Sequence, residues 1–63
     1  MSKKRQQIVF SFGSSIRYAR EKRNYTREQI ADRAEISSRF LAAIENDKRK
    51  PRLDVLIRLV NAI

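Results

Sequence analysis

Apolar residues recur along this chain at three- and four-residue spacing, the period of an α-helix with one buried face. No segment alternates for long in the two-residue period of an amphipathic strand. The first run predicts a helix over 11–23, in which Ile16, Ala19 and Arg20 share a stripe and Phe12 lies one turn earlier. Asn24 follows, and asparagine is the commonest non-glycine residue in the left-handed conformation that closes a helix. Two start signals then come in quick succession. Thr26 with Gln29 three residues on makes a capping box, and Tyr25 and Ile30 hold the two positions of a hydrophobic staple. The helix they open turns Ile30, Ala31 and Ala34 inward and ends near Ala34. Ser37 repeats the signal, with Ile36 and Leu41 as its staple, and opens a third helix over 38–46. Two short helices that each carry a start signal, with three residues between them, predict a tight joint.

After Asp47 comes a basic loop, Lys48-Arg49-Lys50-Pro51-Arg52. Beyond it, Leu53, Leu56, Ile57, Val60 and Ile63 form the stripe of a fourth amphipathic helix, with Val55 and Leu59 off that stripe. The helix reaches Ile63 with no glycine, asparagine or basic last turn. From this we expect a fragment of a longer protein or a partner subunit that covers the extra apolar residues. A few scattered surface apolar side chains are the plainer alternative. The whole pattern predicts an all-α fold, a compact four-helix bundle.

Composition narrows the chemistry. Sixty-three residues make one small domain, able to bury only roughly 60% of its unfolded surface. With no Cys and no His, disulfides, thiolate or imidazole metal sites and imidazole acid–base catalysis are excluded. No nucleophile, base and orienting group converge, so no enzyme, cofactor or metal is expected. Fifteen Lys and Arg against seven Asp and Glu give a charge of +8, which favours a polyanion such as nucleic acid or an anionic membrane surface.

Lys3-Lys4-Arg5 followed by Ile8-Val9-Phe10 has the outline of a signal peptide. Ser11, Gly13, Ser14 and Ser15 interrupt the apolar run, Arg17 closes it, and nothing approaches the roughly 20 apolar residues that span a bilayer. Residues 1–9 are therefore read as a flexible basic arm, either a solvated end or a segment that touches phosphates. Residues 10–63 form the domain.

The exposed side of the third helix carries the functional signal. At about 100° per residue, placing Leu41 and Ile44 in the core turns Arg39 and Asn46 outward, with Ala42 and Ala43 on either side and Ser38 at the edge. This face has no acid and no large apolar residue. Arginine can pair with guanine O6 and N7, serine can donate or accept, and alanine methyls can meet thymine methyls, so the face suits a major groove. An ordinary solvent face is the bland alternative. Arg27 opens the second helix beside free backbone N–H groups, a natural anion site. Together with Ser37, Lys48, Arg49, Lys50 and Arg52 it is expected to hold phosphates. Arg17, Lys22 and Arg23 are assigned to a solvated face, outside the site.

On these residues the chain resembles the Cro/XRE-like, phage-repressor class of helix-turn-helix proteins from Phe12 to Ile63. The likeness is carried by Phe12-Gly13 with Ile16 three residues on, and by a twenty-residue unit from Arg27 to Asn46. That unit has Ile30, Ala31, Ala34, Ile36, Leu41 and Ile44 at its core places. Glu45 at the end of the third helix and the short polar loop to Pro51 complete the match.

The resemblance implies a repressor-like bundle of four or five helices, cytoplasmic and nucleoid-associated. It implies a transcriptional repressor that binds double-stranded operator DNA as a symmetric homodimer, with third helices in major-groove half-sites about 34 Å apart. It also implies that Ser38, Arg39, Ala42 and Ala43 face the bases, with Phe40 and Asn46 on the border. Arg27 takes the place of a phosphate-touching glutamine, and Arg20 with Glu45 forms a structural pair tying helix one to helix three.

Three positions depart from the family pattern. Glu35 and Asp47 stand where glycine is usual, and a left-handed conformation there carries strain. Phe40 replaces a small hydroxyl residue and either packs inward, meets a thymine methyl or shifts the helix. The alternatives to a DNA-binding regulator are a protein-interaction module on the same scaffold, antitoxin-like or coactivator-like, and a membrane-surface peptide.

Overall fold

A computed structural model describes residues 11–63. The basic arm, and with it any contact it makes, lies outside the described residues. Four helices follow one another: α1 (Phe12–Lys22), α2 (Arg27–Ala34), α3 (Ser38–Glu45) and α4 (Leu53–Ala62), with no strand among the described residues.

Local chemistry sets the helix starts. The Ser11 hydroxyl accepts from Ser14 N–H at 3.0 Å, and that of Ser37 accepts from Phe40 N–H at 3.0 Å. Thr26 and Gln29 form the reciprocal capping box, at 3.1 Å and 2.8 Å. These side chains satisfy amide donors that the first turn leaves without an intrahelical partner. α4 begins at Arg52 without a side-chain cap, but Asp54 in its first turn accepts from Val55 N–H at 2.9 Å.

The first three helices close in the same way. Asn24, Glu35 and Asp47 have φ of 62°, 61° and 60°. After each, the next residue donates to a carbonyl five positions back: Tyr25 to Arg20 at 3.1 Å, Ile36 to Ala31 at 2.9 Å and Lys48 to Ala43 at 2.8 Å. This is the Schellman closure, made here three times without glycine. The strain expected at Glu35 and Asp47 is therefore present.

α2 packs against α3 and α4, and α1 against α3. The core joins Ile16 of α1, Ile30, Ala31 and Ala34 of α2, Leu41 and Ile44 of α3, and Val55, Leu59 and Ala62 of α4. Ile30, Leu41, Ile44 and Leu59 are sealed from solvent, each burial contributing about 1.5–3 kcal/mol. Two arginines tie α2 and α4 at their ends. Arg58 donates to the Ala34 carbonyl at 2.8 Å, and Arg33 to the Ala62 carbonyl at 3.1 Å.

The fourth helix corrects the sequence reading. Val55 and Leu59, expected off the buried stripe, face the core, whereas Leu53, Ile57 and Val60 are exposed at 70%, 51% and 63%. Of the expected stripe, Ile63 packs partly against the core and Leu56 is half-buried. Stepping about 100° per residue puts the two sets on roughly opposite sides of the helix. Apolar residues occupy both sides, and α2 covers only one. Phe12 is a smaller correction: it stays on the α1 stripe but is 41% exposed at the first helical position.

Gly13 explains how closely α1 approaches α3. A Cβ at this position would lie within contact distance of the Ile44 carbonyl oxygen, 2.6 Å from that of Glu45 and 2.8 Å from Asp47 Oδ1. The space is used instead by a hydrogen bond, Gly13 N–H to Asp47 Oδ1 at 3.1 Å. Asp47 thus turns its carboxylate onto the first turn of α1.

Candidate nucleic-acid interface

Ser37 and the core anchors Leu41 and Ile44 fix the rotation of α3, so its other side faces outward. On that side Arg39 and Asn46 are exposed, while Ser38, Ala42 and Ala43 are half-exposed and outside the core. The bare face anticipated from the helical period is therefore accessible. Phe40, for which three outcomes were open, packs partly against the core, and the Arg49 guanidinium lies 5.6 Å from its ring centroid. Such a cation–π contact contributes about 0.5–1 kcal/mol at exposed sites and holds the basic loop beside α3. Lys48, Lys50 and Arg52 are exposed on that loop, and Ser37 is exposed at the cap.

Behind the face lies a buried ion-pair cluster. The Glu45 side chain is fully enclosed. Arg20 reaches it with two bonds, Nε to Oε2 at 2.7 Å and Nη2 to Oε1 at 3.0 Å, and donates Nη1 to the Tyr25 carbonyl at 2.9 Å. Burial by itself would push the Glu45 carboxyl up. Hydrogen bonds from Arg20 and Arg27, with their charges, outweigh burial and hold the group below the usual carboxylate value. The hydrogen bond to Glu45 raises the Arg20 guanidinium above its ordinary value. The predicted pair is thus formed, and it locks α1 to α3.

Arg27, expected to hold a phosphate, has its Nε committed to Glu45 Oε1 at 3.0 Å, with its side chain still 37% exposed. Arg17 departs from expectation. Rather than standing on a solvated face, it donates Nη2 to Asn46 Oδ1 at 2.8 Å, with its Nε 3.8 Å from Glu45 Oε1. Nothing local in the sequence signals this, because Arg17 and Asn46 meet only through the packing of α1 on α3. The one usable hint was spacing: Arg17 lies three residues before Arg20, hence on the same side of α1.

Two helices at a tight joint, the second with a bare polar face framed by cations, define a helix-turn-helix domain. The chain belongs to the helix-turn-helix family of the Cro/XRE type, whose sequence model matches residues 16–63. It is 37% identical over 51 residues to an uncharacterised HTH-type transcriptional regulator of Mycobacterium tuberculosis, covering 81% of this chain and 36% of the relative. It is 35% identical over 51 residues to the HTH-type transcriptional regulator ImmR of Bacillus subtilis, covering 81% of this chain and 40% of that protein. The chain thus corresponds to well under half the length of these relatives. No solved structure matches it. Among the described residues, no helix is long and apolar enough to cross a membrane.

Proposed function

We propose that this chain is a sequence-specific, DNA-binding transcriptional regulator, non-enzymatic and acting as a repressor, which sets α3 into the major groove. The observation that carries this reading is the bare face of α3. Leu41 and Ile44 are buried while Ala42 and Ala43 remain reachable beside exposed Arg39. Arg39 reads guanine, Ser38 and the two alanines meet neighbouring base edges, and Asn46 serves the far end of the helix. Phosphates on either side are held by Arg27, Ser37, Lys48, Arg49, Lys50 and Arg52. The relatives' description as transcriptional regulators supports the same reading.

The regulator acts as a symmetric dimer on an inverted repeat. The exposed apolar residues Leu53, Ile57 and Val60 give α4 a surface that a second copy can cover. The same stripe favours one rival reading, a protein-interaction module on this scaffold.

Selection of bound duplexes from a random pool separates the two. The regulator yields an inverted repeat with half-sites about one helical turn apart. Arg39→Ala then abolishes preference over scrambled DNA while salt-dependent non-specific binding survives. If no motif is enriched, and neither Arg39→Ala nor Arg27→Ala changes duplex binding near physiological ionic strength, the interaction module is the correct reading.

A further inference from the structure

The Glu45 cluster holds more positive charge than its fold requires. Arg20 alone makes two hydrogen bonds to the carboxylate, and Arg27 adds a third on Oε1. Arg17 then approaches the same oxygen at 3.8 Å, beyond hydrogen-bond distance, and its buried Nε has no acceptor. A third guanidinium on a satisfied carboxylate brings like-charge repulsion and a donor left unpaired in the interior, both of which cost stability. Among the described residues Glu21, on the exposed side of Arg20 at 3.8 Å, is the only other carboxylate paired with these arginines. Three guanidinia thus face two carboxylates, and one positive charge is left unneutralised. Arg17 and Arg27 are the two partly exposed members, with side chains 41% and 37% accessible. Their link to the bare face is direct, since Arg17 Nη2 bonds Asn46 at the end of α3.

We infer that Arg17 belongs to the nucleic-acid interface, where it and Arg27 share one backbone phosphate while Asn46 holds Arg17 and Glu45 holds Arg27. An incoming phosphate supplies an anion on the side of Arg17 and Arg27, which Glu21 beside Arg20 does not serve. It also replaces repulsion between Arg17 and Arg27 with attraction to a common oxygen group. Guanidinium forks suit phosphate geometry, so both can bind while Arg17 keeps its bond to Asn46. The inference rests on the DNA-binding reading above and extends it to a residue of α1.

Salt-dependent duplex binding tests it, with wild type, Arg17→Gln, Arg17→Lys and Asn46→Ala compared on a selected duplex and a scrambled one. Loss of one phosphate contact lowers the slope of log affinity against log salt by about 0.9. Arg17→Gln is expected to show that drop and to weaken both duplexes alike by about tenfold, while the thermal midpoint without DNA stays level or rises. Arg17→Lys, which keeps the charge, retains most of the slope.

An Arg17→Gln chain with wild-type affinity and slope overturns the inference, as does one whose DNA-free midpoint falls as far as that of Arg20→Gln. Equal slope loss in Arg17→Lys and Arg17→Gln also overturns it. So does an Asn46→Ala chain with the Arg17→Gln slope change, which would make Arg17 only a support for Asn46. A wild type that binds no duplex at low salt defeats the DNA-binding reading itself, and this inference with it.

Discussion

At Gly13, helix propensity and packing pull in opposite directions. Replacing a helical glycine by alanine ordinarily stabilises by about 1 kcal/mol. Here the added methyl would meet the carbonyl oxygens that end α3 and displace Asp47 from the Gly13 amide. Overpacking and a lost hydrogen bond together cost about 2–4 kcal/mol. Gly13→Ala is therefore expected to lower the thermal midpoint by about 10 °C or more, and a midpoint at or above wild type would show that α1 and α3 are not so close.

Glu45 gives the second residue-scale prediction. Its exposure is 2% and that of Arg20 is 7%, so Glu45→Ala removes the carboxylate that takes two hydrogen bonds from a buried guanidinium. Arg20 is then left only the Tyr25 carbonyl and the exposed Glu21, at a cost of about 3 kcal/mol. Because its folded pKa lies below the unfolded carboxylate value, its stabilisation is complete above the ordinary carboxylate range. That stabilisation is lost as the pH falls through the folded value. Denaturant titrations across the acid range should show a weaker loss of stability in Glu45→Gln than in wild type. Parallel curves for the two would count against the buried pair.

At the scale of elements, the three Schellman closures differ in what their left-handed residue does. Glu35 is exposed and stands in the joint between α2 and α3, where glycine would adopt the same backbone without a Cβ penalty. Glu35→Gly is expected to stabilise by about 1 kcal/mol. Asp47→Gly gains the same relief but loses the bond to Gly13, so it should be neutral or destabilising. Chemical denaturation of both variants checks the order, and an Asp47→Gly chain more stable than Glu35→Gly would contradict it. The left-handed closure was legible beforehand at Asn24 from its residue type, and at Glu35 and Asp47 from the family resemblance, which puts glycine at both places. The bond that compensates Asp47 was not, because its partner lies 34 residues away.

For the whole molecule, the outer stripe of α4 bears on assembly. Ile57 is half-exposed, so Ile57→Lys should change the stability of the isolated fold by no more than about 0.5 kcal/mol. If a second copy covers this stripe, the substitution removes the dimer in sedimentation experiments. It should also weaken binding to a two-half-site duplex by about a hundredfold, while affinity for one half-site is kept. Unchanged sedimentation and unchanged binding would place the dimer contact elsewhere. The fourth helix was the least legible element for the same reason. Asp54, Arg58 and Asn61 share one polar side, and apolar residues fill the rest of the circumference, too wide an arc to single out the part that is buried. Val55, Leu59 and Ala62 are inside because α2 lies against them.

The approximate extents of the helices, the caps Thr26 and Ser37, the joint at residues 35–37 and the outward face of α3 followed from the sequence by itself. Each depends on residues within a turn or two of one another, where hydrogen bonding and helical period act directly. Tertiary structure alone decided which side of α4 is buried, why residue 13 lacks a side chain and which arginines gather around Glu45. Those outcomes depend on how separate helices exclude water from one another, a quantity that no local stretch of chain contains.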